Sequence, residues 1–174
     1  LQADGIRVGS GEVAVPVVAR LMFAALNYFA ARGGLAAEEA ADAAEKPAAQ
    51  HTGIRGETFA YWFLRRHGYV MVRRNYRVSH RHGEIDLIGW DGPVLAFIEV
   101  KTRASEGPLP PEAALTADKR SQLWAMAREY LRQRRLTDTP YRFDLVAIEA
   151  PPSRPPAVRL YKAAFGEQRG RAKR

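Results

Sequence analysis

The sequence predicts an α/β protein with a mixed four- to five-stranded sheet flanked by helices. Three observations predict it. The hydrophobic periods run in the order helix, three strands, helix, strand across residues 54–148. Two short apolar runs, Glu84–Ile88 and Val94–Lys101, flank a turn at Trp90-Asp91-Gly92-Pro93 and so read as a hairpin. In the second run, Val94-Leu95-Ala96-Phe97-Ile98 is nearly all apolar, as expected of a central strand covered on both faces.

At 174 residues the chain fits one domain with room for a proper core. The absence of cysteine excludes disulfides and thiolate metal sites and is compatible with a reducing, cytoplasmic setting. The formal net charge of +8 is unevenly placed. Residues 1–50 hold four basic and six acidic side chains, and residues 51–174 hold 23 and 13, a net of +10. The basic character therefore belongs to the predicted core, and a polyanion is its simplest partner. A soluble protein with a basic surface is the plain alternative.

Residues 1–50 read as an N-terminal extension, weakly helical or disordered. Val13 to Ala31 is apolar but is interrupted by Pro16, Arg20 and Asn27. A membrane span needs about 20 mostly apolar residues, so none is expected. No basic region precedes the run, as a secretory signal would require. Leu1 is not a usual start, whereas Met22 is a plausible one. The core domain is placed at residues 51–166. From Ile54, Phe59, Ala60, Phe63 and Leu64 recur at helical spacing, and Gly68 after Arg65, Arg66 and His67 marks the stop. Tyr69–Val78 reads as the first strand, carrying Arg73, Arg74 and Arg77 on what is either a solvated edge or a phosphate-contacting face. In the turn that follows, His80 and His82 could ligate a metal, but backbone-phosphate contact from Arg81 is the preferred reading. Glu84–Ile88 and Val94–Lys101 are the second and third strands. A Gly- and Pro-rich loop, Thr102–Pro111, would border a substrate groove. Leu115–Arg135 is a long helix whose apolar face is Leu123, Met126, Ala127, Tyr130 and Leu131. Tyr141–Ile148 is a fourth strand, in which Phe143, Leu145 and Ala147 alternate against Arg142, Asp144 and Val146. Val158–Tyr161 is a short fifth strand, and residues 167–174 are a basic tail.

The hairpin carries charge where buried strands should not. On strand spacing Glu84 and Asp86 share one face, with Ile85 and Leu87 on the other, and Glu99 shares a face with Lys101. Pairing of the two runs can bring Asp86, Glu99 and Lys101 together. Two half-buried carboxylates repel, and burial alone pushes them toward protonation. A divalent cation resolves that conflict. A purely structural Glu99–Lys101 pair is the rival reading.

Asp86 followed by Glu99-Val100-Lys101 resembles the PD-(D/E)XK nuclease signature. The contexts Gly83-Glu84-Ile85-Asp86-Leu87-Ile88 and Phe97-Ile98-Glu99-Val100-Lys101-Thr102-Arg103 are similar to the YraN-like family, bacterial proteins of largely unassigned role related to archaeal Holliday-junction resolvases. The resemblance extends through Arg55-Gly56-Glu57, Arg74-Asn75-Tyr76-Arg77, Lys119-Arg120, Arg142-Phe143-Asp144 and Ala164-Phe165, covering about Gly53 to Phe165. It implies a restriction-endonuclease-like αβββαβ core and a Mg²⁺-dependent endonuclease, with Mn²⁺ as a substitute. It implies metal ligation by Asp86, Glu99 and the Val100 carbonyl, with Lys101 positioning the attacking water. Glu57, in the first helix, either completes that site or simply complements the helix dipole. Arg74, Arg77, Arg81, Arg103, Lys119 and Arg120 are the expected nucleic-acid contacts. The implied substrate is structured or branched DNA, and a homodimer stays open. The alternative is a nucleic-acid-binding module that keeps the fold but cleaves nothing.

Overall fold

A computed structural model describes residues 17–29, 47–79, 81–103, 115–151 and 155–166, with side chains from residue 56 onward in the second stretch. The elements are α1 (Val17–Phe29), α2 (Pro47–Arg66), β1 (Val70–Tyr76), β2 (Ile85–Asp91), β3 (Val94–Arg103), α3 (Ala117–Gln133), β4 (Tyr141–Glu149) and β5 (Ala157–Phe165). The strands form one sheet in the order β1-β2-β3-β4-β5. β1, β2 and β3 pair antiparallel, β3 pairs parallel with β4, and β4 antiparallel with β5. The sheet is therefore mixed and five-stranded, and β3 is its centre.

Local sequence sets the ends of these elements. α2 stops because Gly68 adopts φ +86, which lets Tyr69 N–H reach the Leu64 carbonyl and Gly68 N–H reach that of Arg65. Leu64 and Tyr69 then enter the same core cluster. α3 starts at Thr116, whose hydroxyl accepts from Lys119 N–H at 3.2 Å. The β2–β3 hairpin closes on the Asp91–Val94 pair, with Gly92 at φ +58 in the two-residue loop.

Each face of the sheet has its own apolar cluster. Phe59, Ala60 and Leu64 of α2 pack on Leu87, Ala96, Ile98, Val100, Val146 and Ile148. On the other face, Leu123, Met126, Ala127, Tyr130 and Leu131 of α3 meet Ile85, Ile88, Leu95, Phe97 and Phe143. Tyr76 belongs to this second cluster and stacks edge-on against Tyr130 at 5.1 Å, a core rather than a base-stacking position.

The structure departs from the sequence reading at several points. Within the stretch read as a weakly helical or disordered extension, α1 is a helix whose Phe23 ring packs into the core, 5.1 Å from that of Phe59. α2 begins at Pro47, before the expected Ile54. Strict alternation does not hold in β4, where Asp144 and Val146 are as buried as Phe143, Leu145 and Ala147, because both faces are covered. Alternation also breaks in β2. Ile85 packs in the α3-side cluster and Leu87 in the α2-side cluster, so they do not share a face. β5 runs well beyond Val158–Tyr161. The basic tail, His80 and most of the predicted groove loop lie outside the described residues. No helix among the described residues is long and apolar enough to cross a membrane.

Candidate metal centre

The site forms where β2 leaves β3. The two strands pair from Asp91–Val94 as far as Leu87–Ile98. Beyond that point, Val100 N–H donates to the Asp86 side-chain carboxylate at 2.7 Å. β3 continues against β4 to Arg103. Glu99 thus lies on the central strand beside the opening, 2% exposed, and Asp86 faces it at 7%.

Glu99 holds a lysine on each oxygen. Lys101 Nζ donates to Oε1 at 2.8 Å, and Lys119 Nζ, from the first turn of α3, stands 3.0 Å from Oε2. The second contact has ion-pair distance but not hydrogen-bond alignment, so Oε2 is a buried oxygen with no hydrogen-bond partner. Lys119 Nζ also lies 3.3 Å from the Glu84 carbonyl. The Asp86 carboxyl is pushed up to about 7, first by burial and then by the charge of Glu99, against the Val100 hydrogen bond and the Lys119 charge. A carboxyl in that state is ill-suited to remain an unaccompanied anion at neutral pH.

α2 brings Glu57 toward this opening. Gly56 makes the approach feasible: a Cβ there would sit 2.0 Å from Thr102 Oγ1 on β3. The Glu57 carboxyl is raised by burial, with a hydrogen bond from Asn75 opposing, and it feels the charges of both Glu84 and Glu99. Asn75 adopts φ +49 on β1 between Arg74, which pairs with Leu87, and Tyr76, which pairs with Ile85. That register places it opposite Asp86.

The structure brings together Asp86, Glu99, Val100 and Lys101. Glu57 is an electrostatic neighbour rather than part of a tight cluster. Among the described residues no group of three or more His, Asp or Glu side chains stands close enough to hold a metal ion. The expected nucleic-acid contacts divide. Arg81 is exposed. Arg74 reaches Thr58 Oγ1 at 3.0 Å and lies over the Tyr61 ring, and Arg77 pairs with Glu84 at 2.8 Å on the surface. Lys119 instead points inward to Glu99. Arg103 lies 4.0 Å from Glu149, with its Nε and one terminal nitrogen buried and not hydrogen-bonded, and Arg120 Nε is likewise buried.

Asp144, on β4 level with Ile98 of β3, is a further buried carboxylate. Asp144 accepts from Arg142 Nε at 2.8 Å, from Tyr69 OH at 3.0 Å and from Ala163 N–H at 2.9 Å, while Arg142 also binds Asp91. The Ala163 bond supports an irregularity in β5 where the register jumps between Phe143 and Leu145. The inward turn of Lys119 and the Asn75–Glu57 contact had no sequence signal, because both join segments far apart in the chain.

The family model described as "Uncharacterised protein family UPF0102" matches residues 56–148, which span α2 through β4. A UPF0102 protein of Koribacter versatilis (strain Ellin345) is 46% identical over 122 residues, 70% of this chain and 83% of the relative. One from Solibacter usitatus (strain Ellin6076) is 42% identical over 116 residues, 67% of this chain and 86% of the relative. One from Geotalea uraniireducens (strain Rf4) is 39% identical over 113 residues, 65% and 87% of the two chains. On the family match and these relatives, the chain belongs to UPF0102, the YraN-like family.

Proposed function

We propose that this protein is a metal-dependent endonuclease that hydrolyses phosphodiester bonds in nucleic acid, with structured or branched DNA as its substrate. One observation carries the reading: two buried carboxylates, Asp86 and Glu99, whose charges oppose each other at a strand opening, with Lys101 bonded to Glu99. The residues fit a hard divalent ion. Glu99 Oε2 is a buried oxygen lacking a hydrogen bond, and the raised Asp86 carboxyl is the group a cation would return to its charged form. Asp86, Glu99 and the Val100 carbonyl would hold Mg²⁺ or Mn²⁺. Bound there, the ion would supply a water of lowered pKa and offset charge on the phosphorus.

The chain's own groups do the rest. The Lys101 side chain is 39% exposed while its ammonium stays on Glu99, so it can orient an attacking water from solvent and still be held in register. Its charge also favours the extra negative charge of the transition state. Arg74, Arg77 and Arg81 lie at the surface to meet the phosphate backbone without reading sequence.

The test is a panel of labelled linear, nicked, flapped and four-way DNAs with Mg²⁺, Mn²⁺ or EDTA. Cleavage with either metal and none with EDTA is expected, and Asp86→Asn and Lys101→Ala should abolish it while retaining DNA. Cleavage by either variant at the wild-type rate would remove that residue from the mechanism. A non-cleaving nucleic-acid-binding module is the second reading. It is favoured by the absence, among the described residues, of a three-ligand cluster and by the two lysines already neutralising Glu99. Metal-independent retention of DNA with no cleavage of any substrate in the panel would select it.

A further inference from the structure

Lys101 is accounted for by the chemistry above; the second lysine on Glu99 is not. We infer that Lys119 is a resident counter-ion of the metal site. It occupies Glu99 Oε2 while no metal is bound, competes with the metal for that oxygen, and withdraws toward substrate phosphate when the metal enters. The inference rests on Asp86 and Glu99 being metal ligands.

The geometry suits a displaceable cation. Glu99 is 2% exposed beside a second carboxylate, so without a metal it needs positive charge close by. Lys101 satisfies Oε1 only. Lys119 supplies the remaining charge at 3.0 Å from Oε2, but out of hydrogen-bond alignment, and its other contact, to the Glu84 carbonyl, is long at 3.3 Å. An ammonium held by charge rather than by directed bonds is released at low cost. Its backbone, by contrast, is fixed: Lys119 N–H donates to the Thr116 cap of α3. The four-carbon stem alone must move, and the Lys119 side chain is already 24% exposed. Two cations cannot share one carboxylate oxygen at full strength, so the lysine lowers the affinity of the site for metal.

The test is calorimetric titration of the full chain with Mn²⁺ alone, with thermal unfolding in EDTA and in Mn²⁺ as a second readout. Lys119→Met should bind Mn²⁺ about ten-fold more tightly than wild type, as removal of a competitor worth about 1.4 kcal/mol would give. It should also melt earlier than wild type in EDTA and recover in Mn²⁺. Lys119→Arg, which keeps the charge, should stay near wild-type affinity. Lys119→Gln provides the same comparison if the Met variant does not fold. Equal or weaker Mn²⁺ binding by a folded neutral variant would overturn the counter-ion role and leave the metal site standing. No Mn²⁺ uptake by wild type or by any Lys119 variant would overturn both. A supporting result also requires that Asp86→Asn lose Mn²⁺ binding in each background.

Discussion

Asp86 and Asp144 are both buried strand aspartates that accept a backbone N–H, yet their surroundings treat their charge in opposite ways. Asp144 is fully enclosed and receives Arg142, Tyr69 and Ala163, so its charge is matched where it stands. Removing the match should be costly. Arg142→Met leaves an uncompensated buried anion and should lose about 3–5 kcal/mol of stability in urea unfolding. Arg132→Ala, which breaks an exposed pair with Glu129, should leave the urea midpoint unchanged. Asp86 has one N–H and an anion for a neighbour, and its carboxyl is raised from 3.8 to about 7. A raised carboxyl means the native state holds the proton more tightly than the unfolded chain. Its stabilising contribution is therefore complete below about pH 4 and is lost as pH rises through about 7. In EDTA, wild type should fall in stability relative to Asp86→Asn across that window, by an amount on the order of a few kcal/mol. Calorimetric melting of both proteins from pH 4 to 8 checks this, and parallel curves would contradict it.

At the level of elements, the site depends on how closely α2 approaches β3. Gly56 leaves no space for a methyl group, because Thr102 Oγ1 would be 2.0 Å away. Gly56→Ala should cost about 1–3 kcal/mol through displacement of the helix or of Thr102. Thr102→Ala in the same chain should restore part of that loss, since it removes the atom in conflict, and a double-mutant cycle in urea measures the recovery. Gly68 gives a contrast of mechanism. Nothing stands within 4 Å of a Cβ there, so Gly68→Ala should cost only the left-handed backbone term, about 1 kcal/mol. The edge position of β1 explains why Val70 and Val72 are 51% and 44% exposed despite strand-forming character. Tyr76, at its other end, is buried because α3 covers it.

For the molecule as a whole, charge and fold make separate statements. The net +10 of residues 51–174 predicts DNA retention that falls steeply with salt. Replacing exposed Arg74 and Arg77 together with alanine should weaken retention on every DNA of the panel and flatten the salt dependence by about 1–2 in log–log slope. Filter binding at several salt concentrations measures both. The order of elements was legible because apolar periods change from helical to strand spacing at Tyr69 and back at Leu115, and Gly68 punctuates the first change. The central position of β3 was legible too, since only a strand covered on both faces can be apolar throughout Val94–Ile98. The carboxylate pair could be named for the same reason: charge in an apolar strand is conspicuous. What the sequence determined, then, is local: element types and order, the stop of α2 at Gly68, and which residues are out of place in their strands. Which distant groups answer those residues was decided by tertiary structure. The parting of β2 from β3 at Asp86, the lysine of α3 turned onto Glu99, and the Tyr69 hydroxyl on Asp144 all arise from contacts between segments distant in the chain. Such contacts depend on distance in space, which the spacing of residues along one strand or helix does not encode.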